Sequence, residues 1–247
     1  MIINLAGGTG MMGRTHKPLF EAAGHRVIIS GRETSPGLEE AAELADVTII
    51  SVPIPATEEI IKKIAPCCRA IMDFTGIKIQ PMRAMYDFAP EGCEIQGLHP
   101  LYREFYKGAT IVSCPTKRSR ERCGLIVSTL RKAGAKIKVM TPEEHDKYMD
   151  KTQNQRALML KKYVIELSQE MSVGEAYKLS SKPTKIVLDL VARQIDEANG
   201  NLYDDMIEHN LFTKHYEKTL SSEEIRRWFG KQLKPAQKRA ERYVQMS

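Results

Sequence analysis

The chain predicts an α/β protein in which a doubly wound parallel sheet over residues 1–140 precedes an all-helical domain over residues 141–247. Three observations lead there. Short apolar runs rich in Ile and Val alternate with stretches of helix length as far as Met140. The first of these runs feeds straight into a glycine-rich turn, Gly8-Thr9-Gly10-Met11-Met12-Gly13. After Thr141-Pro142-Glu143-Glu144, a helix start, strand signals almost vanish.

The first strand is Ile2 to Ala6, and the first helix runs from Met11 to Gly24 with Pro18 inside it, which is expected to bend it. His25 to Ser30 is the second strand. A short helix, Gly37 to Ala45, leads to the strand Val47 to Val52, which Pro53 and Pro55 stop. A helix from Thr57 to Ile64 begins with Thr57 ahead of two acids. There follow Arg69 to Phe74, a helix near Met82 to Phe88, and strands at Glu94 to Gly97 and Ala109 to Cys114. A helix from Ser119 to Ala133 and a strand from Lys136 to Met140 complete this half. In the second half helices are expected at Glu143 to Met171, Ser172 to Leu179, Pro183 to Ala198, Leu202 to Leu220 and Ser221 to Val244. Ser221-Ser222-Glu223-Glu224 offers the last a capping box.

A strand feeding G-x-G-x-x-G into a helix is the dinucleotide-binding fingerprint, so the first domain reads as a Rossmann domain. Gly8 permits the sharp turn, Gly10 lets backbone approach a pyrophosphate, and Gly13 lets the helix lie close to the sheet. Gly8, Thr9, Gly10, Met11, Met12 and Gly13 are thus cofactor candidates, with Val52 and Pro53 at the end of the third strand. The end of the second strand reads Ser30-Gly31-Arg32, with no carboxylate until Glu33. A hydroxyl followed by a guanidinium suits the 2′-phosphate of NADP, whereas Glu33 on the ribose would suit NAD. NADP is favoured and NAD stays open.

The formal charge of +6 and pI near 9.0 arise from bases interleaved with acids. The densest basic stretches, Lys117 to Arg122 and Lys231 to Arg242, read as solvated helix faces, so no nucleic-acid partner is expected. A basic surface also steers anionic substrates. Cys67, Cys68, Cys93, Cys114 and Cys123 show no metal-ligand spacing, so no metal is expected. Their odd number and the lack of a leader predict reduced thiols in the cytoplasm. No apolar run has the length of a membrane span.

Several segments together resemble the prephenate dehydrogenase family of tyrosine biosynthesis. They are Asp46 to Ile54 followed by Ala56-Thr57-Glu58, then Met72-Asp73-Phe74-Thr75-Gly76-Ile77-Lys78, and Gly97-Leu98-His99-Pro100-Leu101-Tyr102. Further on come Glu144-His145-Asp146 with Met149 and Gln153, Ser180-Ser181 before Pro183, Arg193, and Leu202-Tyr203-Asp204-Asp205. The resemblance implies NAD(P)-dependent oxidative decarboxylation of prephenate or its amino analogue arogenate. It assigns His99 as the base at the ring hydroxyl and Arg193 as a carboxylate clamp. Lys78 would lie near the ring carboxylate, Lys185 where relatives carry arginine, and Gln153 near the substrate. It also implies a homodimer built through the helical half.

Departures accompany the match. Gly76 stands where relatives commonly have serine, Ala157 beside Arg156 where they have a second histidine, and Arg103-Glu104 where Gly-Pro is usual. These keep two alternatives open: an NADP-dependent reductase of another small substrate, and a cofactor-binding homologue whose catalysis has decayed. Arg193, on an apolar helix, requires an anion, either substrate or a nearby carboxylate. His145 is expected to cap or orient its helix, and His16, His25, His209 and His215 have no evident partner in the sequence.

Overall fold

The computed structural model describes residues 1–195, 201–213 and 222–245, excluding the side chains of 222 and 242–245. His215, Ser221 and the ends of the helices expected to reach Ala198 and Leu220 lie outside the described residues. The chain forms two compact units, Met1–Lys147 and Tyr148–Ser247.

The first unit is built on a seven-stranded sheet of β1 (Ile2–Ala6), β2 (Arg26–Ser30), β3 (Val47–Ile50), β4 (Ala70–Asp73), β5 (Glu94–Pro100), β6 (Thr110–Pro115) and β7 (Lys136–Val139). Their order is β2-β1-β3-β4-β5-β6-β7. The chain reverses direction across the sheet between β1 and β3, the position where open α/β sheets form their binding crevice.

Strands β3 and β4 are buried at every position, without alternation, because both sheet faces are covered. Ile50 and Ile71 pack on one side with α2 (Leu38–Leu44), α3 (Ile54–Ile64) and α4 (Ile79–Phe88). Ile49 and Met72 pack on the other with Phe20 of α1 (Met11–Ala22) and Ile126 and Leu130 of α5 (Glu121–Lys132).

Two expectations need correction here. The sheet is not wholly parallel, since β5 pairs antiparallel with β6, and β7 then follows β6 in parallel. Only nine residues, Leu101 to Ala109, join β5 to β6, and a parallel crossover needs a dozen or more. Helix α3 starts at Ile54, not Thr57. Pro53 and Pro55 preset helical φ at its first turn, and the Thr57 hydroxyl donates back to the Pro53 carbonyl at 3.1 Å.

Helix α6 (Pro142–Met149) opens with reciprocal bonds between Thr141 and Glu144. The single helix expected from Glu143 to Met171 is interrupted by a π-helical turn, Asp150–Asn154, before α7 (Gln155–Glu170). Across that turn Asp150 Oδ1 accepts from Gln155 Nε2 at 2.9 Å.

The second unit continues with α8 (Val173–Leu179), α9 (Lys182–Gln194), α10 (Leu202–His209), α11 (Ser222–Phe229) and α12 (Leu233–Gln245). Ser172 and Glu175 form a capping box on α8. The last expected helix is broken where Gly230 adopts φ +48°. Leu160, Val164, Leu188, Val191, Ile225 and Phe229 form the core of this unit.

Candidate functional site

The turn after β1 shows why glycine recurs in it. Gly7 has φ +81°, and a Cβ there would stand 2.5 Å from the Ser51 carbonyl oxygen and 2.7 Å from Val52 Cγ1. The turn therefore lies against the segment after β3 that carries Val52 and Pro53. At Gly13 a Cβ would lie 2.1 Å from the Gly8 oxygen, so the helix start rests directly on the turn. At Gly10 the nearest atom would be the Gly7 oxygen at 3.3 Å, which leaves the space above Gly10 open.

Thr9 and Gly10 are exposed, and Met11 and Met12 are half-buried. No side chain caps α1, and its first turn holds no acid. The leading N–H groups of Met11, Met12 and Gly13 thus meet no capping side chain among the described residues, and a phosphate anion fits there.

At the end of β2 the Ser30 hydroxyl points inward. Ser30 is fully buried and donates to Asn4 Oδ1 at 2.8 Å. The 2′-phosphate contact expected of its side chain is therefore not available, and the loop beyond it must supply any such contact. Arg32 and Glu33 are both exposed there, in a turn closed by Gly31 N–H donating to Thr34 Oγ1 at 2.8 Å.

Polar side chains also gather at the carboxyl ends of β4 and β5. Asp73 ends β4, and Lys78 precedes α4; both are fully buried. The Lys78 ammonium is ion-paired with Asp73 Oδ2 and also donates to Thr75 Oγ1 at 3.1 Å and the Leu98 carbonyl at 2.9 Å. All three of its protons have acceptors, so the ammonium expected beside a substrate carboxylate is committed to Asp73. Gly97 makes room for the lysine stem, since a Cβ there would meet Lys78 Cδ at 2.9 Å.

His99 lies near the end of β5, only 8 % exposed. Its Nδ1 stands 2.9 Å from Nε2 of the fully buried His145, whose Nδ1 is 2.7 Å from Asp146 Oδ1. His99 Nε2 makes no hydrogen bond among the described residues. Burial, with help from His145 and the Lys78 ammonium, holds His99 well below the usual imidazole range. It is therefore neutral near pH 7 and able to accept a proton.

The sequence did not reveal these partners, although Glu144-His145-Asp146 was a visible motif. It also left His16 unexplained. His16 donates from Nδ1 to the Met12 carbonyl and accepts from the Tyr102 hydroxyl, both at 2.8 Å, which ties the start of α1 to the segment after β5.

In the second unit, Gln153 is half-buried within the π-helical turn, its amide 3.2 Å from Met149 Sδ. Arg193 is half-buried near the end of α9, and Lys185 is half-buried near its start. Gln194, next to Arg193, donates to the carbonyl of buried Ala157 at 3.3 Å. One turn beyond Ala157 the buried Lys161 ammonium pairs with Asp204. Among the described residues no group of three His, Cys, Asp or Glu side chains could hold a metal ion, and no helix is long and apolar enough to cross a membrane.

Residues 8–139 match the family model described as the prephenate dehydrogenase nucleotide-binding domain. The chain belongs to the prephenate dehydrogenase family. Over 242 residues it is 27 % identical to a probable arogenate/prephenate dehydrogenase of Methanocaldococcus jannaschii, an alignment covering 89 % of this chain and 54 % of that protein. It is also 27 % identical to the T-protein of Enterobacter agglomerans over 209 residues, covering 82 % of this chain and 55 % of that one. The chain thus spans about half the length of the curated relatives it matches.

Among solved structures, the fold resembles prephenate dehydrogenase from A. aeolicus in complex with hydroxyphenyl propionate and NAD+. The TM-score is 0.67 at 16 % identity, over all of this chain and 95 % of that one. Synechocystis arogenate dehydrogenase gives a TM-score of 0.57 at 16 % identity, over all of this chain and 88 % of that one. The family model takes in the glycine turn, Lys78 and His99 but ends before His145.

Proposed function

We propose that this protein is a NAD(P)-dependent dehydrogenase that oxidatively decarboxylates prephenate or arogenate. One observation carries the reading: a neutral, buried imidazole whose Nε2 makes no hydrogen bond among the described residues lies at the same carboxyl edge of the sheet as an uncapped, acid-free helix start behind a glycine turn. Gly8, Thr9, Gly10, Met11, Met12 and Gly13 would hold the pyrophosphate, with Val52 and Pro53 flanking it. The nicotinamide, when bound, supplies the acceptor for a hydride.

His99 takes the proton of the ring hydroxyl through Nε2 as the carbon bearing that hydroxyl loses hydride. As carbon dioxide leaves, its bonding electrons enter the ring and His99 returns the proton to the oxygen, so the product is a phenol and no net proton is consumed. The family resemblance assigns Arg193 and Gln153 to the substrate carboxylate and its surroundings. Lys78 acts from behind, through its charge and its bond to the Leu98 carbonyl next to His99.

NADP is the preferred cofactor, on Arg32 alone now that Ser30 is engaged inside the sheet. The protein is assigned a small anionic substrate, a homodimeric assembly and a cytoplasmic location. All five cysteines are free thiols, as a reducing compartment requires. Gly76 and the buried Ala157 favour a second reading, a cofactor-binding homologue whose catalysis has decayed.

Turnover of prephenate and arogenate, followed by nicotinamide absorbance with NAD and NADP, tests the assignment. His99→Asn should lower kcat roughly 10²–10⁴-fold with cofactor affinity intact. Arg32→Ala should weaken NADP about tenfold or more, a loss of about 1.4 kcal/mol, and leave NAD unchanged. No turnover of either acid by the wild type would defeat the assignment.

A further inference from the structure

We infer that His145 and Asp146 are positioning residues that set the tautomer of His99 and take over the charge of the proton His99 accepts; the second half of this rests on reading His99 as the base. Asp146 anchors the arrangement. Its Oδ1 accepts the Lys78 N–H at 2.8 Å and its Oδ2 the Ile79 N–H at 3.0 Å, at the start of α4. With each oxygen accepting a backbone N–H, the side chain is set as an acceptor toward its other neighbours.

His145 Nδ1, 2.7 Å from that carboxylate, must therefore carry a proton and donate it. A neutral imidazole has one N–H, so His145 Nε2 is an acceptor. His99 Nδ1 at 2.9 Å must then be the donor, which leaves the lone pair of His99 on Nε2. This is the orientation in which each contact pairs a donor with an acceptor while both rings are neutral. Without Asp146 the opposite setting is equally satisfied: His145 would donate from Nε2, and His99 would carry its proton on Nε2, unable to act as a base.

The same chain has a second setting. When His99 Nε2 gains a proton, the Nδ1 proton of His99 can pass to His145 Nε2. His99 is then neutral again, and His145 is an imidazolium on the Asp146 carboxylate. One proton arrives and one shifts, and no electrons move.

The charged groups facing the two rings favour this placement. The Lys78 ammonium opposes charge on both, whereas Asp146 and, more weakly, Asp73 favour it on His145. Burial keeps His145 neutral at rest, and its bond to Asp146 offsets part of that penalty. His99 has no such compensation. Asp146 thus does for a two-imidazole chain what a carboxylate does for one imidazole in a Ser-His-Asp triad.

Long-range 1H–15N correlation on the full-length, 15N-labelled protein reads the tautomers directly, without substrate. Both His99 and His145 should be neutral with the proton on Nδ1. Asp146→Asn should move the His99 proton to Nε2 and lower kcat by roughly 10²–10⁴-fold, with KM changed only a few-fold. His145→Gln retains an acceptor for His99 Nδ1, so the tautomer should persist while kcat falls and the acidic limb of its pH profile shifts. That variant leaves the α4 contacts of Asp146 intact and serves if Asp146→Asn does not fold.

A wild-type His99 with its proton on Nε2 would overturn the inference, as would unchanged kcat in a folded Asp146→Asn or His145→Gln variant. Correct tautomers without turnover of either acid would instead defeat the assigned activity and leave the tautomer control standing.

Discussion

Replacing Gly13 and Gly10 by alanine separates what the turn needs in order to fold from what it needs in order to bind. At Gly13 the added Cβ would meet the Gly8 oxygen at 2.1 Å, Cα at 2.3 Å and carbonyl carbon at 2.4 Å. All three are backbone atoms, so no rotamer change relieves the contact. Ordinary contact begins at 3.4 Å, so the start of α1 must retreat by about 1.3 Å. Overpacking of that kind costs about 1–3 kcal/mol. At 2–4 °C per kcal/mol for a protein of this size, Tm should fall by roughly 2–12 °C. The retreat also widens the cradle of N–H groups, so dinucleotide affinity should drop at least about tenfold.

At Gly10 the added methyl meets only the Gly7 oxygen, at 3.3 Å, and otherwise enters open space. Gly10→Ala should therefore melt within a degree or so of the wild type yet bind the dinucleotide as poorly as Gly13→Ala. Thermal melts with and without NADP, and titration of nicotinamide fluorescence, give both quantities for each variant. Equal cofactor affinity in wild type and Gly10→Ala would refute the placement of the pyrophosphate over this turn. An unshifted Tm in Gly13→Ala would refute the close packing of α1 on Gly8.

Acid should destabilise the protein partly through His16, whose pKa burial lowers from 6.5 to about 4. Below pH 6.5 the unfolded chain binds a proton that the folded chain refuses, so this contribution is present above 6.5 and is lost as pH falls toward 4. At pH 5 the loss is about 2 kcal/mol; denaturant unfolding of wild type and His16→Gln at pH 7 and pH 5 should show a shallower fall in the variant. Equal slopes would show that His16 is not buried neutral.

Asp73→Asn leaves the Lys78 ammonium buried without its counter-charge and should cost about 3–5 kcal/mol. The double variant Asp73→Asn, Lys78→Met should recover much of that loss, which a double-mutant cycle by chemical denaturation measures. A single-variant cost under about 1 kcal/mol would mean that the ion pair is solvated.

The strands and the glycine turn were legible because their causes are local. Val47 to Ile50 is β-branched at every position, and Gly8, Gly10 and Gly13 follow β1 at the spacing a strand-to-helix turn demands. Helix ends were less legible. Pro53 reads as a strand terminator, yet it is equally the N-cap of α3. Nothing in the run Asp150 to Gln155 signals the π-helical turn that the structure shows there. The direction of β6 had to be inferred from the short connection before it, and the regular alternation of strand and helix elsewhere pointed the other way.

The candidate site divides along the same line. His99 and Lys78 were found from motif resemblance; Asp73 lies only five positions from Lys78, but other working partners lie far off in the chain. His145 is 46 positions from His99, and Asn4 is 26 positions from Ser30. Ser30 followed by Arg32 looked like a phosphate-binding pair until folding turned the serine hydroxyl into the sheet.

Apolar periodicity, turn glycines and helix-capping residues act on their immediate neighbours, so the amino-acid order alone determined a nucleotide-binding α/β unit and a helical unit, while the imidazole at position 99 was marked by motif resemblance. Which hydrogen-bond donor meets which acceptor depends on distances set only when remote strands and helices pack. The tertiary structure therefore decided that Lys78 answers Asp73, that Ser30 answers Asn4, and that His99 leans on His145 and Asp146.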